Sequence, residues 1–302
     1  MTAIAPPRNG TTLRRLLNKV PEVTLFFWII KIMCTTVGET AADYLNENLG
    51  FGLTNTTYVA GALLAVLLLA QFRLRRYVPT VYWAAVVVIS VFGTLITDNL
   101  TDRYNVPLTT STTVFAIALA AVFAIWWTIE RTLSIPSITT TRREGFYWLA
   151  ILFTFALGTA AGDLTAERFG LGFGVSVLIF AGLIAAITVA HLRFRMDAVL
   201  AFWLAYILTR PLGASIGDGL SQPRDAGGLG LGTTGTSYLF IACILALVAY
   251  LSITKKDQTP PEVVLAENAG RGVHRHGREV RPEVARPGGL TQTTARPRAR
   301  AA

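Results

Sequence analysis

The chain has 302 residues, 52% of them hydrophobic and only 15% charged, with a mean hydropathy of +0.50. Soluble domains carry about 25% charged residues, so a water-soluble globular enzyme or binding module is excluded. The net charge of +9 has to be judged by position before it is taken as a nucleic-acid signal. Two cysteines, Cys34 and Cys243, both inside apolar runs, exclude a disulfide framework or a thiolate metal site.

Residues 1–20 are polar and basic, with Pro6-Pro7, and read as a cytoplasmic lead. No apolar stretch of signal-peptide type precedes the first long run. Eight apolar runs then follow, near 22–44, 57–72, 78–98, 112–130, 145–164, 173–191, 197–217 and 237–254. Each fits a membrane span of about 20 residues. Between them, Gly50–Thr57, NVPLTTSTT and SQPRDAGGLGLGTTG read as turns, and SIPSITTTRRE as a linker between two halves.

The first run carries a pattern that returns three times, W-x9-G-x4-D. It falls at Trp28/Gly38/Asp43, Trp83/Gly93/Asp98, Trp148/Gly158/Asp163 and Trp203/Gly213/Asp218. An aromatic residue precedes every Trp: Phe27, Tyr82, Tyr147 and Phe202. Trp28 to Trp148 and Trp83 to Trp203 are both 120 residues apart, so a two-helix unit was duplicated twice. The fold expected is all-α: eight transmembrane helices forming four parallel two-helix repeats in two duplicated halves. The first half is 21–132, the second 144–256, and 257–302 is a basic tail without an apolar stripe, read as disordered and cytoplasmic.

Charge position sets the topology. Fourteen basic residues flank one set of span ends (Arg8, Arg14, Arg15, Lys19, Arg73, Arg75, Arg76, Arg131, Arg142, Arg143, Arg193, Arg195, Lys255 and Lys256). The other set has Arg103, Arg168 and Arg224. By the positive-inside rule, both termini and the basic loops face the cytoplasm. The partner this implies is the lipid bilayer, not nucleic acid.

On a helical projection, Trp28, Gly38, Ala42, Glu39 and Asp43 share one arc. Gly38/Ala42 and the later pairs Gly93/Thr97, Gly158/Gly162 and Gly213/Gly217 permit close helix approach in lipid. The four first helices are therefore expected to pack together, with the four second helices outside and the four Asp at one depth near the outer mouth. Four residues on come Glu47, Asp102 and Glu167, with Gln222 breaking the series; if each helix continues, they face the same way. Glu39 is an extra acid of the first unit, where the others have Thr94, Thr159 and Ala214. Hard oxygen ligands of this kind suit Mg²⁺, Ca²⁺ or Mn²⁺. The competing reading is that the four Asp are turn or inter-repeat hydrogen-bonding devices. For Trp28, Trp83, Trp148 and Trp203 an anchoring role near the cytoplasmic boundary is expected, as for Trp126-Trp127.

Two cations lie inside spans. Lys31 stands where other units have Val86, Ile151 and Tyr206, and Arg210 just precedes Pro211. Intramembrane cations mark functional sites, and pairing with Glu39, Asp43 or Asp218 is expected. No nucleotide loop, hydrolase motif or cofactor signature is present, so no enzyme is expected. His191 reads as interfacial, and His274 and His276 of the tail as weak metal evidence.

Four tandem two-helix units, each marked by a Trp, together with VPEVTLFFWIIK and TTVGETAADYL, resemble a bacterial family of uncharacterised membrane-anchored proteins built on that repeat. The resemblance covers about 19–256. It implies an inner-membrane protein of eight spans and supplies no reaction. The function expected is transport of a divalent cation, such as manganese export with proton coupling, at Asp43, Asp98, Asp163, Asp218, Glu39, Glu47 and Glu167. Alternatives are an anion or small-solute transporter using Lys31 and Arg210, and a non-transport scaffold or sensor.

Overall fold

The computed structural model describes residues 18–258; the side chains of Glu47, Asn48 and Glu167 lie outside that description. So do the tail beyond 258, with His274 and His276, and Arg8, Arg14 and Arg15. Among the described residues the chain is helical, with eight helices long and apolar enough to cross a bilayer. The first helix of each unit is α1 (Leu25–Asp43), α3 (Pro79–Asp98), α5 (Thr141–Asp163) and α7 (Ala198–Ser221). The second helix is α2 (Gly52–Arg73), α4 (Leu108–Glu130), α6 (Gly172–Phe194) and α8 (Gly232–Thr254).

Local signals start the first helices. Thr24, Thr140 and Asp197 accept from backbone N–H groups of the first turns of α1, α5 and α7, and Pro79 opens α3. At the far end, Gly50/Gly52, Gly170/Gly172 and Gly230/Gly232 all adopt positive φ, which only Gly takes without strain. Repeat two turns with Asn105 at φ 52° instead. α2, α4 and α8 begin about four to five residues before the apolar runs do, because their first turns are Thr-, Ser- and Gly-rich and carry little hydropathy.

Burial separates the two sets. In the first helices 61, 61, 56 and 56% of the best apolar window is buried; in the second helices the shares are 17, 22, 11 and 28%. The first helices therefore form the core, and the second helices present Tyr58, Leu178, Leu192 and Ile253 outward, as lipid-facing helices do. α1 packs on α3, α3 on α5, α5 on α7 and α7 back on α1. Each second helix lies against the first helix of the following unit: α2 on α3, α4 on α5, α6 on α7, and α8 on α1. The last unit thus closes on the first, which makes the molecule a ring of four and not two separable halves.

Two contacts repeat around that ring. A Cβ added at Gly38 would strike Ser90, at Gly93 Phe155, at Gly158 Arg210, and at Gly213 Thr35. Each Gly faces the residue three positions before the next unit's Gly. The aromatic pairs obey the same rule. Phe27 meets Trp83 at 5.7 Å, Tyr82 meets Trp148 at 5.5 Å, Tyr147 meets Trp203 at 6.3 Å, and Phe202 meets Trp28 at 5.6 Å between ring centroids. Such pairs contribute roughly 0.5–1.5 kcal/mol each beyond burial. The anchoring role expected for the repeat Trp is corrected here for three of the four: Trp83, Trp148 and Trp203 are 1, 3 and 4% exposed, whereas Trp28 is half-buried and lines a groove beside α7. These three pack between neighbouring first helices, each against the aromatic residue of the preceding unit. Trp126 is also buried, stacked on Phe146, whereas Trp127 is exposed.

At this aromatic end the segments outside the helices are tied to the helix ends. Lys19 Nζ meets Glu144 Oε2 at 2.6 Å, and Gln71 donates to Glu144 Oε1 at 3.1 Å. Tyr77 donates its hydroxyl to Asp257 Oδ2 at 2.6 Å and accepts from Trp83 Nε1 at 3.1 Å. Burial pushes the Asp257 carboxyl above the usual carboxylate range, against the pull of the Tyr77 hydrogen bond. Burial likewise pushes the Tyr77 phenol up, with the Asp257 charge adding to it. A raised folded-state pKa favours the protonated, folded form at low pH, and that preference is lost as pH rises through it. Hydrogen exchange around 255–258 should therefore accelerate, beyond the intrinsic base-catalysed rise, as pH climbs above the ordinary carboxylate range. Asp257→Asn should abolish the excess; an unchanged profile in that variant would refute the assignment.

Candidate functional site

Moving along the axis from the aromatic layer, positions four residues apart on the first helices form successive layers. The first holds Lys31, Val86, Ile151 and Tyr206, and the next Thr35, Ser90, Phe155 and Arg210. Then come Glu39, Thr94, Thr159 and Ala214, and one turn further Asp43, Asp98, Asp163 and Asp218. Four residues are slightly more than one turn of α-helix, so each stripe stays on one broad face of its helix. Thr94 and Thr159 on these stripes donate to carbonyls four residues back on their own helices, as Thr36 and Thr209 beside them do to carbonyls four and three residues back. The buried Ser90 and Tyr206 hydroxyls have no hydrogen-bond partner among the described residues. Thr35 and Thr97 also reach across, to Thr209 O at 3.2 Å and Ala156 O at 3.1 Å.

Arg210 is the hub. Its side chain is fully buried and enters the ring because Gly158 and Gly162 of α5 leave room for Arg210 and Pro211. Nη2 donates to Glu39 Oε2 at 2.7 Å, to Thr159 Oγ1 at 2.7 Å, and to Thr94 Oγ1. Nη1 donates to Thr35 O at 3.1 Å. One guanidinium thus binds the equivalent side chains of units one, two and three from unit four. Of the three expected acid partners for Arg210, Glu39 makes the ion pair. Thr94 and Thr159 were unforeseen as ligands; their place opposite Glu39 in the repeat alignment was the only signal.

Beyond Arg210 the acids converge. Carboxylate oxygens of Glu39, Asp163 and Asp218 lie within 4.8 Å of one another. Asp98 and Asp218 each feel the charges of Glu39, Asp163 and Asp43, so all four repeated Asp share one electrostatic field. Asp218 also feels Arg210. Of the acids four residues on, Asp102 is placed differently. After Asp43, Asp98 and Asp163 the helix widens into π-helical segments, Tyr44–Asn48, Asn99–Arg103 and Leu164–Arg168. The wider turn breaks the i,i+4 alignment, and Asp102 is exposed. Glu47 and Glu167 belong to those segments, with side chains outside the description. Unit four, with Gln222, has no such segment.

Lys31 makes neither the Glu39 nor the Asp contact expected of it. It is 1% exposed, and Nζ sits over the rings of Phe155 and Tyr206 at 4.3 and 4.2 Å. His191 bonds Met196 O at 2.9 Å through Nδ1 and lines an apolar groove of about 540 Å³ between α1, α6 and α7, away from the axis.

A family model described as "Repeat of Unknown Function (DUF347)" matches residues 26–77, 81–132, 146–197 and 201–257. The chain belongs to this family. The four matched units are the four helix pairs described above. Comparison with curated proteins and with solved structures found no match.

Proposed function

We propose that this DUF347 protein is a transporter of a divalent cation in the bacterial inner membrane, with the aromatic end and both termini on the cytoplasmic side. One observation carries the reading: Glu39, Asp163 and Asp218, from three different units, bring carboxylate oxygens within 4.8 Å of one another on the axis. Asp43 and Asp98 lie near enough to interact electrostatically with this cluster. These acids sit in or near the last turns of their helices, where the macrodipole is already negative. A hard cation with oxygen ligands answers both terms, and Mn²⁺, Mg²⁺ and Ca²⁺ are the candidates.

Arg210 gives the site a way to switch. A cation bound by Glu39 competes with the guanidinium for the same oxygen, so loading frees Arg210 from the link between units one and four. Carboxylates bind metal deprotonated, which makes proton exchange the natural counter-reaction. The aromatic layer closes the other end, which favours alternating access over an open pore.

The test compares divalent metal content in cells lacking the protein, cells with it, and cells with Asp43, Asp98, Asp163 and Asp218 all changed to Asn, at matched membrane expression. One metal should accumulate without the protein and in the Asn variant, and be cleared by the wild type. Equal content of every metal across the three strains would overturn the proposal.

A further inference from the structure

The groove between α1, α6 and α7 is a place where the ring departs from its own symmetry. One unit earlier, the equivalent place between α4, α5 and α7 has a floor of rings. Trp126 stacks on Phe146 at 6.2 Å and meets Trp203 edge-on at 5.8 Å, and Phe123 meets Trp203 at 4.9 Å. In repeat register Trp126 becomes His191, Phe146 becomes Ala201, Phe123 becomes Thr188 and Trp203 becomes Trp28. Three rings shrink or vanish, so the fourth, Trp28, is left half-buried beside a groove of about 540 Å³. That volume lies within the range of ligand pockets.

Length, polarity and charge point to one kind of occupant. Along α7 the groove runs from Ala198 to Thr209, about 16 Å at 1.5 Å per residue. Half the hydrocarbon core of a bilayer is about 15 Å, so the groove has the length of one leaflet. Ile32, Ile184 and Ala205 line its deep part, whereas Ser134 and His191 line the end nearest the basic loops. Arg193 and Arg195, both exposed, follow directly past His191. The acids at this end are Glu22, beside Val23, and Asp197, whose carboxylate caps α7 through the Val199 and Leu200 amides. A second cleft, of about 500 Å³ between α4 and α7, carries Asp197 in its lining where this groove carries His191. An apolar chain one leaflet long with an anionic head complements the groove. Residues 1–17 and 259–302 do not, because both are net basic, like its rim.

We propose that this groove binds one anionic phospholipid, its acyl chain against Ile32, Ile184 and Ala205 and its phosphate at His191, Arg193 and Arg195. Basic sites between spans at the cytoplasmic face recognise such headgroups. The lipid takes the place of the rings that join α4 to α7 one unit earlier, and braces α6, the least buried of the eight spans, against α1. The groove lies away from the axis, so the site does not depend on the proposed cation site.

The experiment reconstitutes the full chain in phosphatidylcholine vesicles with a trace of phosphatidylglycerol carrying a photoactivatable diazirine midway along one chain. Labelled residues are mapped by peptide mass spectrometry, and phosphatidylcholine with the same diazirine is the comparison probe. Leu178 and Ile253, 73 and 81% exposed, report ordinary lipid contact and should label equally with both. Ile32, Ile184 and Ala205 should label on the order of tenfold more with the phosphatidylglycerol probe, and unlabelled phosphatidylglycerol should displace it. Thr188→Phe restores the ring of unit two at an exposed position and should bring groove labelling down to the level of Leu178. Arg193→Gln/Arg195→Gln should keep chain labelling and erase the headgroup preference. Equal labelling of the groove by both probes in the wild type means ordinary lipid contact only and overturns the proposal, as does undiminished labelling in folded Thr188→Phe. If Thr188→Phe does not fold, an unchanged headgroup preference in the arginine variant overturns it.

Discussion

Arg210→Met should cost about 3–5 kcal/mol of stability, the range for removing one partner of a buried ion pair. The guanidinium is fully buried and bonds Glu39, Thr94, Thr159 and Thr35 O. Its loss leaves the Glu39 carboxylate, 6% exposed, without its counter-ion, and disconnects three units at one level. Arg210→Lys should not rescue the fold, because a single ammonium cannot span the four acceptors that the planar fork reaches. Arg210→Met/Glu39→Gln should recover much of the loss, since a neutral amide no longer needs a counter-ion. The two sites are in contact, so a coupling of about 0.5–3 kcal/mol is expected. Thermal unfolding of the wild type, Arg210→Met, Arg210→Lys, Glu39→Gln and the double variant in one lipid mixture reads this out. A single Arg210→Met variant as stable as wild type would remove the hub from the account.

Gly213→Val should be nearly as damaging, by a different route. The Cβ alone would collide with Thr35 Oγ1 and Cβ, and with Ile32 O at 3.1 Å. Ile32 O is backbone, so α1 and α7 must separate. Overpacking of this kind typically costs about 1–3 kcal/mol. The α1–α7 contact is also where the ring closes, so separation opens the loop that units one to four complete. Thr35→Ala in the same chain should relieve part of the clash. Gly182→Ala on α6 is the control: its Cβ meets nothing within 4 Å, and the change should stay within about 0.5 kcal/mol. If Gly213→Val and Gly182→Ala melt together, the first helices are not as close as described.

The spacing of Trp, Gly and Asp was enough to find the units and to tell first helices from second, because a repeat must solve one packing problem the same way four times. Lys31 and Arg210 stood out because a cation inside an apolar run has no local explanation. Thr94 and Thr159 did not stand out, since a membrane threonine usually bonds its own helix, and both of these do so as well. Asp102 looked equivalent to the ring because sequence counts four residues as one turn; a π-helical segment lengthens the turn, and Asp102 is exposed.

Two things were therefore set by the amino-acid sequence alone: eight spans in four like-oriented pairs, and a level of acids near one end. Hydropathy, periodicity and repeat spacing are local quantities, and they suffice for both. Which pairs touch was decided only in three dimensions. Each second helix leaves its own unit for the next, α8 closes on α1, and Gly and aromatic contacts follow the same rotation. Ion pairing was decided there too. Arg210 took Glu39, 171 residues away, and left Lys31 without an acceptor. The stripe at four-residue spacing offered every acid at once, and only the ring geometry fixed which oxygen the guanidinium could reach.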